Sequence, residues 1–202
     1  MSYSDFSLGK VKKIFNLVET RENFFDVEPS IEPSEWLKET LAISLELALS
    51  SSSEKARSEF IVVPILLEMK KRNNQSFAIF SGENFDVEPE QGLNGECDFI
   101  LSKGTLSSTI QTPIFLLVEA KKNDVKEGLG QCVAQMLGAQ IFNRNEGNEI
   151  EWIYGCVTTG ETWQFLKLKD NIITINTTRY YINNIAKLIY VFQSIINIYQ
   201  QT

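Results

Sequence analysis

The chain has 202 residues, a formal net charge of −7 and no histidine. The missing histidine removes Ser-His-Asp and Cys-His nucleophilic sites, and with them every His-ligated zinc, non-haem iron or haem centre. Acid–base work falls instead to carboxylates, lysine, tyrosine, cysteine or bound metal, and the acidic balance argues against a coat protein held on nucleic acid by summed basic charge.

Apolar residues make up 43% and charged residues 22%, which is ordinary globular usage. The length predicts one domain over residues 1–202. Three cysteines, Cys97, Cys132 and Cys156, form no CxxC pair and are odd in number. That pattern predicts a reducing, cytoplasmic setting with buried thiols. Met1 to Lys13 has no apolar stretch of the kind a secretory leader carries. The longest apolar run, Phe60 to Leu67, has eight residues, against the roughly 20 that cross a bilayer. No membrane partner is expected.

Residues 1–33 read as loosely organised, with a short apolar stretch at Val11 to Val18. Two similar segments, Glu22 to Pro29 and Glu83 to Pro89, have no third copy, so they define no repeat architecture. Ser34 caps a predicted amphipathic helix over 35–49, with Trp36, Leu37, Leu41, Leu45 and Leu49 at helical spacing. Ser53 caps a second, from Glu54 to about Arg72, which Pro64 should kink. Three short β-rich runs follow, Ser76 to Ser81, Cys97 to Lys103 and Pro113 to Ala120, divided by Gly, Asn and Pro turns. Gly128 to Phe142 reads as a helix. Glu151 to Thr158 and Trp163 to Lys169 read as strands joined at Thr159-Gly160. Apolar residues from Ile182 to Tyr199 keep helical spacing, which predicts a C-terminal helix over about 181–200. Its Ile-rich surface would serve core packing or a homodimer. The order α-α-β-β-β-α-β-β-α implies an α/β fold with a mixed sheet flanked by helices.

One stretch carries chemistry. Phe115-Leu116-Leu117-Val118-Glu119-Ala120-Lys121 sets a carboxylate and an amine at the end of an apolar strand. The two-residue period of a strand points Glu119 and Lys121 to one face. Asp98 lies on the preceding predicted strand, where an adjacent pairing brings it beside Glu119. Two carboxylates meeting at a strand end repel unless a cation lies between them. The cation suited to such hard oxygen donors is Mg²⁺ or Mn²⁺.

This pattern resembles the PD-(D/E)xK, or restriction endonuclease-like, nuclease superfamily, including uncharacterised bacterial members and type I restriction nuclease modules. The matching residues are Glu59 on the preceding helix, Asp98, Glu119 and Lys121 at the strand ends, and Gln131 on the following helix. Gln135 lies one turn further on the same face. Cys97 stands where the family name has proline. The Glu-x-Lys triplet is weak on its own. Chance yields about one in a chain of this composition, and a second, Glu68-Met69-Lys70, has no Asp on a preceding strand.

The resemblance implies an αβββαβ core over about 54–170 and a metal-dependent nuclease cleaving phosphodiester bonds, with DNA the expected polymer. It implies Mg²⁺ or Mn²⁺ held by Asp98, Glu119, the Ala120 carbonyl and Glu59. Lys121 would orient or deprotonate the attacking water, and Gln131 would position Lys121 or a phosphate oxygen. Lys121, Lys122 and Lys126 would dock a phosphate backbone. The alternative is a binding module that keeps the fold without cleavage.

Overall fold

The structure is a computed structural model describing residues 1–25, 29–104 and 107–200. A seven-stranded mixed sheet separates two helical layers. In chain order the elements are α1 (Leu8–Ile14), β1 (Val18–Glu22), α2 (Glu35–Ser50), α3 (Glu54–Arg57), α4 (Val63–Arg72), β2 (Phe77–Asn84), β3 (Glu96–Lys103), β4 (Ile114–Ala120), α5 (Val125–Asn145), β5 (Ile153–Thr158), β6 (Thr162–Lys169), β7 (Ile172–Tyr181) and α6 (Ile185–Gln200). Across the sheet the order is β1-β7-β6-β5-β4-β3-β2. The fold is α/β, as predicted.

Every residue of β4 is buried, because β4 is central and covered on both faces. That is why its sequence is a continuous apolar run rather than an alternating one. β2, β3 and β4 form an antiparallel meander, and β4 then pairs in parallel with β5. A parallel pairing requires a crossover, which α5 supplies. One face of the sheet packs against α2, α4 and α6, and the other against α1, α5 and the N-terminal residues Tyr3 and Phe6.

The described residues of this N-terminal stretch are more ordered than predicted. They supply α1 and the edge strand β1, which runs parallel to β7. β1 reads Val-Glu-Thr-Arg-Glu and is mostly exposed, so it carries no apolar signal. Of the two similar segments, the second begins on the last two paired residues of β2, Glu83 and Asn84. Asp26, Val27 and Glu28 of the first lie outside the described residues.

β7 is a second departure, since the five predicted strands become seven among the described residues. Ile172-Ile173-Thr174-Ile175 is a β-branched run, and it follows a turn in which Asp170 adopts φ of 52°. The Ile-rich surface of α6 is used within the chain. Leu188, Ile189, Phe192, Ile195 and Ile196 are buried in the core, each contributing about 1.5–3 kcal/mol.

The helical segment from Glu54 to Arg72 is broken, as its proline implies, and the break is a π-helical turn at Ser58–Val62. Pro64 has no N–H for the carbonyl four residues back, that of Phe60. Ser44 on α2 donates its hydroxyl to that carbonyl at 2.6 Å. The second Glu-x-Lys triplet has a structural use. Buried Glu68 accepts from the backbone N–H of Ser34 at 3.0 Å, from its hydroxyl at 2.6 Å and from Arg72 at 2.6 Å. It thus anchors the capping residue of α2. No helix among the described residues is long and apolar enough to cross a membrane.

Candidate functional site

Three of the predicted residues converge at the ends of β3 and β4. Phe99 pairs with Val118, so Asp98 and Glu119 are one step further along the same ladder. Asp98 Oδ2 accepts from the Ala120 N–H at 2.7 Å. The Lys121 N–H donates to the Thr158 carbonyl at 2.7 Å, which extends the β4–β5 pairing by one residue. These backbone bonds fix the strand end before any side chain is considered.

Glu119 is buried, at 1% exposure, with both carboxylate oxygens engaged. Lys121 Nζ donates to Oε1 at 2.6 Å, and Gln135 Nε2 donates to Oε2 at 2.8 Å. Gln135 is on α5 and is itself fully buried. Gly128 lets that helix lie against the strand ends, and Gly130 lets the N-terminal segment lie against the helix. A Cβ on Gly128 would come within 3.0 Å of Lys121 Cγ and 2.6 Å of Val157. A Cβ on Gly130 would meet the Phe6 carbonyl oxygen at 2.2 Å.

The electrostatics follow from burial. Desolvation, and then the charge of Asp98, push Glu119 up to about 7, while Lys121 and Gln135 pull the other way. Desolvation also raises Asp98, against the Ala120 N–H and Lys121. Burial opposes the charge on Lys121, but Glu119, Glu54 and Asp98 together outweigh it and hold the ammonium above its usual value. The site is therefore a carboxylate pair short of positive charge, with one cation against it.

The site opens on a cleft of about 470 Å³ lined by Glu54, Lys55, Ser58, Glu59, Glu96 and Asp98 among others. Glu59 is exposed on this wall and faces Lys55 at 3.7 Å. Glu54, which the sequence reading passed over, is the acid from this helical segment nearest Lys121, at 3.7 Å. Arg57 fixes that segment by donating from Nη1 to the Thr159 carbonyl at 2.6 Å. Gln131 is half-buried and makes no side-chain hydrogen bond among the described residues, while Gln135 holds Glu119. Lys122 and Lys126 are exposed. The three cysteines are buried and unpaired, with burial raising each thiol. That leaves them protonated and without a nucleophilic role.

Among the described residues, no group of three or more His, Cys, Asp or Glu side chains is arranged to hold a metal ion. The oxygen donors that do converge are the two carboxylates of Asp98 and Glu119. Their chemistry suits a hard divalent cation, and their deficit of positive charge is one such an ion would meet. Compared with known proteins, the chain matches no family model and no curated protein.

Proposed function

We propose that the protein is a metal-dependent nuclease of the PD-(D/E)xK type, hydrolysing phosphodiester bonds of nucleic acid, with DNA the expected polymer. The observation that carries this reading is half-buried Asp98, lining an open cleft, beside buried Glu119 with Lys121 Nζ 2.6 Å from it. The β2-β3-β4 meander followed by α5 and parallel β5, together with the helical segment before it, supports an αβββαβ core.

Asp98, Glu119 and the Ala120 carbonyl would hold Mg²⁺ or Mn²⁺, with Glu54 or Glu59 reaching in from the cleft wall. The ion would supply Lewis-acid charge for phosphodiester hydrolysis. Lys121 Nζ orients the attacking water and neutralises charge growing on the phosphoryl oxygens. Gln135 fixes the rotamer of Glu119 from behind, a different part from the one the resemblance gives to Gln131, which is to position Lys121 or a phosphate oxygen. Exposed Lys122 and Lys126 meet the phosphate backbone. The excess of carboxylates in the cleft keeps apo-protein affinity for a polyanion low, so substrate binding depends on the ion.

A second reading, a non-catalytic module, is favoured by one feature: the Lys121 ammonium already partners Glu119 where a cation would bind. Plasmid, single-stranded DNA and RNA incubated with Mg²⁺ or Mn²⁺ separate the two. The nuclease cleaves at least one of them, and Asp98→Ala abolishes cleavage. Absence of cleavage, together with no Mn²⁺ binding that Asp98→Ala removes, supports the module.

A further inference from the structure

α2 has two apolar faces, and the core uses only one. Leu37, Leu41, Ser44 and Ala48 are buried. Trp36, Ile43 and Leu47 are 41%, 72% and 54% exposed. With half-buried Thr40, they form a row at spacings of four, three and four residues. At about 100° per residue, this row runs along the helix roughly a quarter-turn from the core face. On the neighbouring segment Phe60 is 39% exposed as well, and its carbonyl is held by Ser44 of α2. The spacing is that of a coiled-coil seam, and the clustering is what marks an interaction surface.

The row's charge selects its occupant. Glu39 and Glu46 flank it on one side, and neither makes an ion pair among the described residues. Glu35, one turn before Glu39, is paired with Lys38 at 2.9 Å. An antiparallel second copy of α2 would set Glu39 opposite Glu46 of the other copy, like charge against like. It would also join two chains that each carry −7. A helix with Lys or Arg beside its own apolar seam satisfies both the row and the acidic edge.

We propose that this face of α2 docks a basic amphipathic helix of a partner protein. The proposal does not depend on the hydrolytic reading.

The test uses the full chain and a designed helical peptide of about three heptads, with Leu at the seam positions and Lys flanking them. A twin peptide carries Glu in place of Lys. Anisotropy titration should give saturable binding of the Lys peptide. Ile43→Asp, at an exposed site and with an unchanged circular dichroism spectrum, should weaken it at least tenfold. Glu39→Lys with Glu46→Lys should weaken the Lys peptide about tenfold and improve the Glu peptide. Equal binding of both peptides, no binding, or binding indifferent to Ile43→Asp overturns the proposal. So does sedimentation of the free protein as a dimer that Ile43→Asp dissociates, since a second copy would then own the face.

Discussion

Replacing Glu119 with Gln should flatten the pH dependence of stability. Glu119 titrates near 7 in the folded protein, against about 4.5 in the unfolded chain. Between those values the folded state keeps a proton that the unfolded state has released, so stability falls as pH rises through that window. At about 1.4 kcal/mol per unit, the loss from this one group is about 3 kcal/mol by pH 8. Asp98, also raised by burial, adds to it with the same sign. Carboxylates held low by partners, such as Glu19 beside Lys12 and Arg21, change below this window and do not mask it. Urea unfolding at pH 5 and pH 8 measures the difference. The wild type should be less stable at pH 8 by up to about 3 kcal/mol, and Glu119→Gln should keep its stability within about 1 kcal/mol across the range. An equal slope in both proteins, or a wild type that gains stability toward pH 8, would refute the account of an under-compensated buried carboxylate.

Three further outcomes test the framework around the site. Gly130→Ala sets a methyl group against the backbone of Phe6, Ser7 and Leu8, and should cost about 3 kcal/mol or more, read as a lowered urea midpoint. Asn143 bridges the N–H and carbonyl of Ile114 at 2.8 Å each from a buried position, so Asn143→Ala should cost about 2–4 kcal/mol, measured the same way. In a cleavage assay Gln135→Ala should lower the rate at least tenfold, whereas Gln131→Ala should change it less than twofold; the reverse ranking would return the supporting role to Gln131.

The central strands were legible because burial on both faces writes itself as unbroken apolar sequence, as in Phe115 to Val118. The convergence of Asp98, Glu119 and Lys121 was legible because strand period and adjacency alone bring them together. β1 was not, since an exposed edge strand is polar and its partner lies some 150 residues away. β7 carried a β-branched signal in Ile172 to Ile175 that merged with the apolar pattern of α6. Which glutamine supports Glu119 was beyond reach, because Gln131 and Gln135 share a helix face and differ only by about 6 Å along its axis. Glu54 and Glu59 raise the same problem. The docking of their helical segment, set by Arg57 on Thr159 and by the turn at Ser58–Val62, decides which acid reaches Lys121.

The central claim is that Lys121, with Asp98 and Glu119, is hydrolytic machinery rather than a solvated strand end. Mg²⁺-dependent cleavage by wild type and Lys121→Ala, both shown folded by circular dichroism, tests it most directly. The account predicts that the wild type cleaves and that Lys121→Ala does not. Undiminished cleavage by Lys121→Ala would contradict it.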